Sequence, residues 1–60
     1  MVTRYKIRNE YVEAMQKIAN SRGYSFIIVM FPAYSIVQVH MEIGRVEQFE
    51  KDIAKYYYND

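Results

Sequence analysis

Polar and apolar residues alternate near the start of the chain, with Thr3, Tyr5 and Ile7 on one parity and Arg4, Lys6 and Arg8 on the other. Period two predicts a strand over 3–8 with one covered face and one wet or partner-facing face. From Tyr11 the period lengthens. Tyr11, Ala14, Met15, Ile18 and Ala19 fall on one helical stripe with Val12 at its margin, and Glu13 and Lys17 form an i,i+4 pair on the opposite side. Asn9 is placed to cap this helix, Glu10 puts an anion in its first turn, and Gly23 is placed to end it in the left-handed conformation. The expected helix covers about 10–22.

The segment 24–31 is dense in β-branched and aromatic residues and reads as a strand. It is apolar on both parities, so both of its faces are expected to be covered. Pro32 ends it, and Pro32 and Ala33 fit the middle of a turn through 32–35. Over 36–43, Val37, Val39, Met41 and Ile43 alternate with Gln38, His40 and Glu42, a second strand that pairs with the first as an antiparallel hairpin. Gly44 breaks it. Val46, Phe49, Ile53, Tyr56 and Tyr57 then mark a helix over about 45–57, supported by the Glu47 and Lys51 pair.

These elements predict a single α+β domain over 1–60, a small two-layer β-α-β-β-α unit with both helices on one face of the sheet. The right-handed crossover rule makes the N-terminal strand parallel to a neighbour across the first helix, and the order 1-3-2 follows if that strand pairs with the third. If 3–8 is only an extended basic tail, the remaining α-β-β-α unit could not stand alone. In topology alone the order resembles the ferredoxin-like βαββαβ arrangement with its last strand missing. That resemblance rests on no residue motif and implies no function.

Composition adds a constraint on stability. Sixty residues bury little of their extended surface, and the chain has no cysteine and one histidine, so disulfides and thiolate metal sites are unavailable as staples. With 52% apolar residues, self-association as a homodimer is the expected remedy. The basic N-terminus is followed by no apolar leader segment, and the longest apolar run, 26–31, is too short to cross a bilayer as a helix. The expected compartment is the cytoplasm, the host's if the protein is viral, with no membrane partner.

Candidate chemistry is sparse. His40 lies on the polar parity of its strand between Gln38 and Glu42, without the nucleophile, second acid–base group or further ligands that catalysis or metal binding requires. The serines lie in no activating motif, and Gly23 and Gly44 form no phosphate-cradling loop. No cofactor, metal or catalytic residue is expected. A remote alternative is an enzyme whose site is built across a dimer interface around His40.

Binding is therefore the expected role. One apolar parity of 26–31 must lie on the outer sheet face, either Phe26, Ile28 and Met30 or Ile27, Val29 and Phe31, and an apolar stripe there needs a cover. Seven tyrosines, with Tyr56, Tyr57 and Tyr58 consecutive, add side chains of the kind that dominate protein interfaces. The expected contact set is Phe26, Ile28, Met30, Phe31, Tyr34, His40, Tyr57 and Tyr58. The expected function is a non-catalytic protein-interaction module, a homodimeric regulator, adaptor or inhibitor docking on a larger protein. Nucleic acid stands second as a partner, bound weakly through Arg4, Lys6, Arg8 and Tyr24, because three or four basic residues would release few counterions and the net charge is only +1.

Overall fold

Both alternating segments and the apolar run between them join one antiparallel sheet in a computed structural model that describes residues 1–59. The strands are β1 (Val2–Ile7), β2 (Ser25–Met30) and β3 (Ser35–His40), in the order β1-β3-β2. Helix α1 (Val12–Ser21) connects β1 to β2, and α2 (Val46–Ile53) follows β3. The expected β-α-β-β-α order and two-helix layer are present, and the N-terminal strand joins the sheet against the third, which puts β3 at the centre.

The core forms where the helical stripes meet the inner parity of the sheet. Ile7, Val37 and Val39 from the strands pack with Met15 and Ala19 of α1 and with Phe49 and Ile53 of α2, all nearly devoid of exposed surface. Val12, expected at the margin of the α1 stripe, is buried with them. Phe49 is the central ring. Tyr5 meets it edge-on at 5.8 Å and Tyr24 at 5.6 Å, so α2 touches β1 and the residue just before β2 through aromatic pairs. Arg22, just past α1, forms an ion pair with Asp52 of α2, and its guanidinium lies 5.7 Å from the Phe49 ring centre. The Glu13–Lys17 and Glu47–Lys51 pairs are present at 3.8 and 3.4 Å, exposed and worth a few tenths of a kcal/mol each.

Hydrogen bonding fixes which way each strand presents its backbone. Phe31 N–H donates to the Tyr34 carbonyl at 2.8 Å, closing the hairpin over Pro32 and Ala33. With Val29 opposite Ile36 and Ile27 opposite Gln38, antiparallel alternation turns the N–H and C=O groups of Ile27 and Val29 toward β3. Those of Phe26, Ile28 and Met30 point away from it, to the free edge of β2.

Several boundaries differ from the sequence expectation. Asn9 does not cap α1. It lies in a 3-10 turn, Asn9–Tyr11, with no side-chain cap bond, and its Nδ2 donates to the carbonyls of Phe31 and Pro32 at 2.8 and 3.2 Å. The fully buried Ser35 hydroxyl donates to Asn9 Oδ1. The residue thus clamps the hairpin turn to the end of β1, a long-range use that competes with local capping. Gly23, at φ +74°, ends α1 as expected. β3 stops at His40, and a 3-10 turn, Ile43–Arg45, replaces its expected last residues and leaves Ile43 exposed.

The C-terminal helix also ends early, passing through a 3-10 turn, Ala54–Tyr56, into extended chain at Tyr57. Tyr57 forms a β-bridge with Ile7, Arg8 N–H donates to Tyr56 C=O at 3.0 Å, and Tyr58 N–H donates to Lys6 C=O at 2.9 Å. This stub occupies the position beside β1 that the missing fourth strand of a ferredoxin-like sheet would take. The Lys6 carbonyl and the Arg8 N–H, which face away from β3, are satisfied there, which favours extended chain over another helical turn.

Asn9→Ala should lower unfolding free energy by about 2 kcal/mol, because the buried Ser35 hydroxyl and two turn carbonyls lose their partner. Ser35→Ala in that background should add less than it costs alone. Urea unfolding of the two single variants and the double variant checks this non-additivity.

Candidate interaction surface

Helices cover one face of the sheet, so the opposite face is built by the other parity of each strand. Pairing register places its side chains in cross-strand rows: Val2, His40 and Ser25; then Arg4, Gln38 and Ile27; then Lys6, Ile36 and Val29. Val29 and Ile27 are 50% and 57% exposed. The expectation that both faces of β2 are covered is not met within the chain. Arg4 Nε donates to Gln38 Oε1 at 3.1 Å, holding the basic edge of the face to its centre.

At the hairpin end the surface becomes aromatic. Tyr34 lies between Phe31 and Tyr58, with ring centres 5.3 Å from each, and Lys6 Nζ lies 4.3 Å from the Tyr34 ring centre and 5.4 Å from that of Tyr58. A cation on the faces of two rings orders the corner without consuming the outward ring edges. Tyr58 reaches this corner because the chain has left the helix. Extended geometry sends Tyr57 to the other side, where it stacks on Tyr5 at 6.1 Å, while Tyr56 lies 5.1 Å from Tyr11. The three consecutive tyrosines therefore serve three different contacts.

Residues expected at an interface divide accordingly. Phe31, Tyr34, Tyr58 and His40 lie on or at the ends of the open face. Phe26 and Ile28 turn inward and pack against the core. Met30 shares their parity but lies at the hairpin end with 64% of its surface exposed. Of the basic set, Arg4 and Lys6 lie on the open face, while Arg8 follows the strand and is 3.8 Å from Glu10. Tyr24 packs on Phe49, away from them. Sequence reasoning left Ile27 and Val29 as one of two alternatives for the outer face and missed Ile36, which the register places on it. A two-residue turn at Pro32 and Ala33 is the signal that settles it, since it pairs 27 with the polar Gln38.

At the opposite end of the sheet, His40, Glu42, Arg22, Arg45 and Tyr24 line an open concavity of about 580 Å³. Arg22 is engaged by Asp52, whose carboxyl is held below the usual range chiefly by that hydrogen bond and then by one from Gln48. Among the described residues no group of three His, Cys, Asp or Glu side chains could hold a metal ion. No helix among them is long and apolar enough to cross a membrane.

Beside the stub, burial first and the neighbouring Glu50 carboxylate second push the Tyr5 hydroxyl up to about 12. Tyr5 Oη donates to Glu50 Oε2 at 3.0 Å. Tyr57 is raised in the same direction, again by burial and then by Glu50. A protein-family comparison, a search of curated proteins and a search of solved structures each find no match to this chain.

The Tyr5 shift sets an alkaline limit. A folded value raised above the ordinary 10 gives stability that is complete below about pH 10 and is lost as pH rises through about 12. Urea unfolding between pH 8 and 12 should show a steeper fall for the wild type than for Tyr5→Phe. At neutral pH the variant should lose about 1 kcal/mol for the missing hydrogen bond.

Proposed function

We propose that this chain is a non-catalytic protein-interaction module that works as a homodimer and docks on a larger protein through the open face of its sheet, as a regulator, adaptor or inhibitor. The observation that carries the reading is the exposed pair Ile27 and Val29 on β2, with the half-buried Ile36 beside Val29 on β3, on a face that also holds Arg4 and Lys6 of β1 and the Phe31, Tyr34 and Tyr58 corner. An exposed apolar patch flanked on one side by cationic groups and at one end by aromatic rings has the residue types that protein docking surfaces use.

The face is less suited to nucleic acid. The rings of the face are confined to the Phe31, Tyr34 and Tyr58 corner, the aliphatic patch offers none for base stacking, Tyr24 is turned into the core, and Arg4 and Lys6 are the cations of the face. Two or three phosphate contacts give weak, salt-sensitive binding. Lys6 already lies over two tyrosine rings.

Ile36→Glu tests the docking face, because residue 36 is central on it and opposite Lys6, which offsets the cost of the new charge. Tagged wild-type and variant proteins, matched for folding by circular dichroism, are compared for partner recovery from source-cell lysate. Recovery should fall at least about tenfold, the equivalent of 1.4 kcal/mol. Equal recovery by the two proteins contradicts the docking face. Retention on a polyanion column that collapses in Arg4→Ala/Lys6→Ala/Arg8→Ala would favour nucleic acid instead.

A further inference from the structure

We propose that the free edge of β2 is the seam of the homodimer, pairing antiparallel with the same strand of a second copy about a two-fold axis at Ile28. This deepens the homodimer reading above and rests on it. Among the described residues nothing pairs with β2 on the side away from β3, whereas the corresponding edge of β1 is partly closed by the C-terminal stub. The N–H and C=O groups of Phe26, Ile28 and Met30 point to this edge, as the Phe31 to Tyr34 bond and the β2–β3 register require. An edge strand normally carries a lysine, a proline or another inward charge that discourages pairing. β2 reads Ser-Phe-Ile-Ile-Val-Met and has none.

A second copy suits this strand through its register. With Ile28 opposite its own copy, Phe26 faces Met30 of the second chain, and Met30 faces its Phe26. The outward-pointing backbone groups then meet as hydrogen-bonded pairs. On the helix side, the largely exposed Met30 gains an aromatic neighbour, a favourable contact for a thioether. On the open face, Ile27 lies opposite Val29 of the other copy and Val29 opposite its Ile27. β-Branched side chains then meet β-branched side chains, with no charge left unpaired. Any other strand would have to supply the same uncharged, apolar pattern on both faces. The result is one sheet continuous through both copies, with the aliphatic rows joined at its centre and the basic β1 edges at its two ends.

Two measurements test the seam. The chain has no cysteine of its own. Ile27→Cys and Val29→Cys proteins are therefore oxidised with glutathione disulfide, separately and mixed. Positions 27 and 29 form a non-hydrogen-bonded pair across the seam, about 4.5 Å between Cα atoms and within disulfide range. The mixture should give a covalent heterodimer at least about tenfold faster than either protein alone gives a homodimer. Equal rates in all three samples overturn the register.

Sedimentation equilibrium from about 10 µM to about 1 mM, the range suited to an interface of less than standard size, follows association directly. Met30→Pro removes an N–H that faces away from β3, a position where an edge strand tolerates proline. It should weaken the dimer at least about tenfold while leaving the monomer folded by circular dichroism, and Ile36→Glu should leave the dimer intact. A wild type that stays monomeric throughout overturns both the seam and the homodimer reading. A dimer that survives Met30→Pro and is lost in Ile36→Glu places association on the open face, overturning the seam alone.

Discussion

Two helices can cover only one face of a three-stranded sheet, and β2 is apolar on both of its faces. The rest of the structure follows from how that conflict is resolved. β3 decides it, because its own alternation is unambiguous: Val37 and Val39 face the helices and Gln38 and His40 face away. Once the hairpin pairs 27 with 38 and 29 with 36, Ile27 and Val29 go to the open face and Phe26 and Ile28 to the core. Reversing that choice by one residue would have turned Phe26, Ile28 and Met30 to the open face and taken Phe26 and Ile28 out of the core.

The two sheet edges are treated differently. Beside β1, the chain leaves α2, gives up helical hydrogen bonds, and turns Tyr56 C=O and Tyr58 N–H toward Arg8 and Lys6. The same excursion carries Tyr57 onto Tyr5 and Tyr58 onto Tyr34, so the tyrosine supply stabilises the stub and shapes one corner of the open face. Beside β2 there is no such closure. Asn9 clamps the hairpin turn from the β1 side and holds Ser35 buried, which fixes the turn end of β2 without touching its edge. The fold is thus secured at one edge and left open at the other.

Elements driven by local periodicity were legible in the sequence. α1 and the hairpin follow from spacing and from Gly23 and Pro32, whereas the order 1-3-2 depended on the N-terminal strand pairing with the third, a long-range contact that local spacing does not decide. What escaped was decided by long-range partners. Asn9 has the chemistry of a helix cap, yet the Phe31 and Pro32 carbonyls and Ser35 claim its side chain. Tyr57 continues the apolar spacing of α2, yet the backbone of β1 draws it into extended chain. The open face was legible only as a pair of alternatives, because the outward parity of β2 depends on turn length. One residue more or less between Phe31 and Tyr34 would exchange the two.

Amide hydrogen exchange followed residue by residue at two protein concentrations reads out directly whether the β2 edge pairs with a second copy. The amides of Ile27, Val29 and Phe31 face β3 and should be protected at both concentrations. Those of Phe26, Ile28 and Met30 should exchange fast in dilute protein and become protected as concentration rises, while the outward amides of Val2 and Arg4 stay fast. Fast exchange at Phe26, Ile28 and Met30 at every concentration would contradict the account.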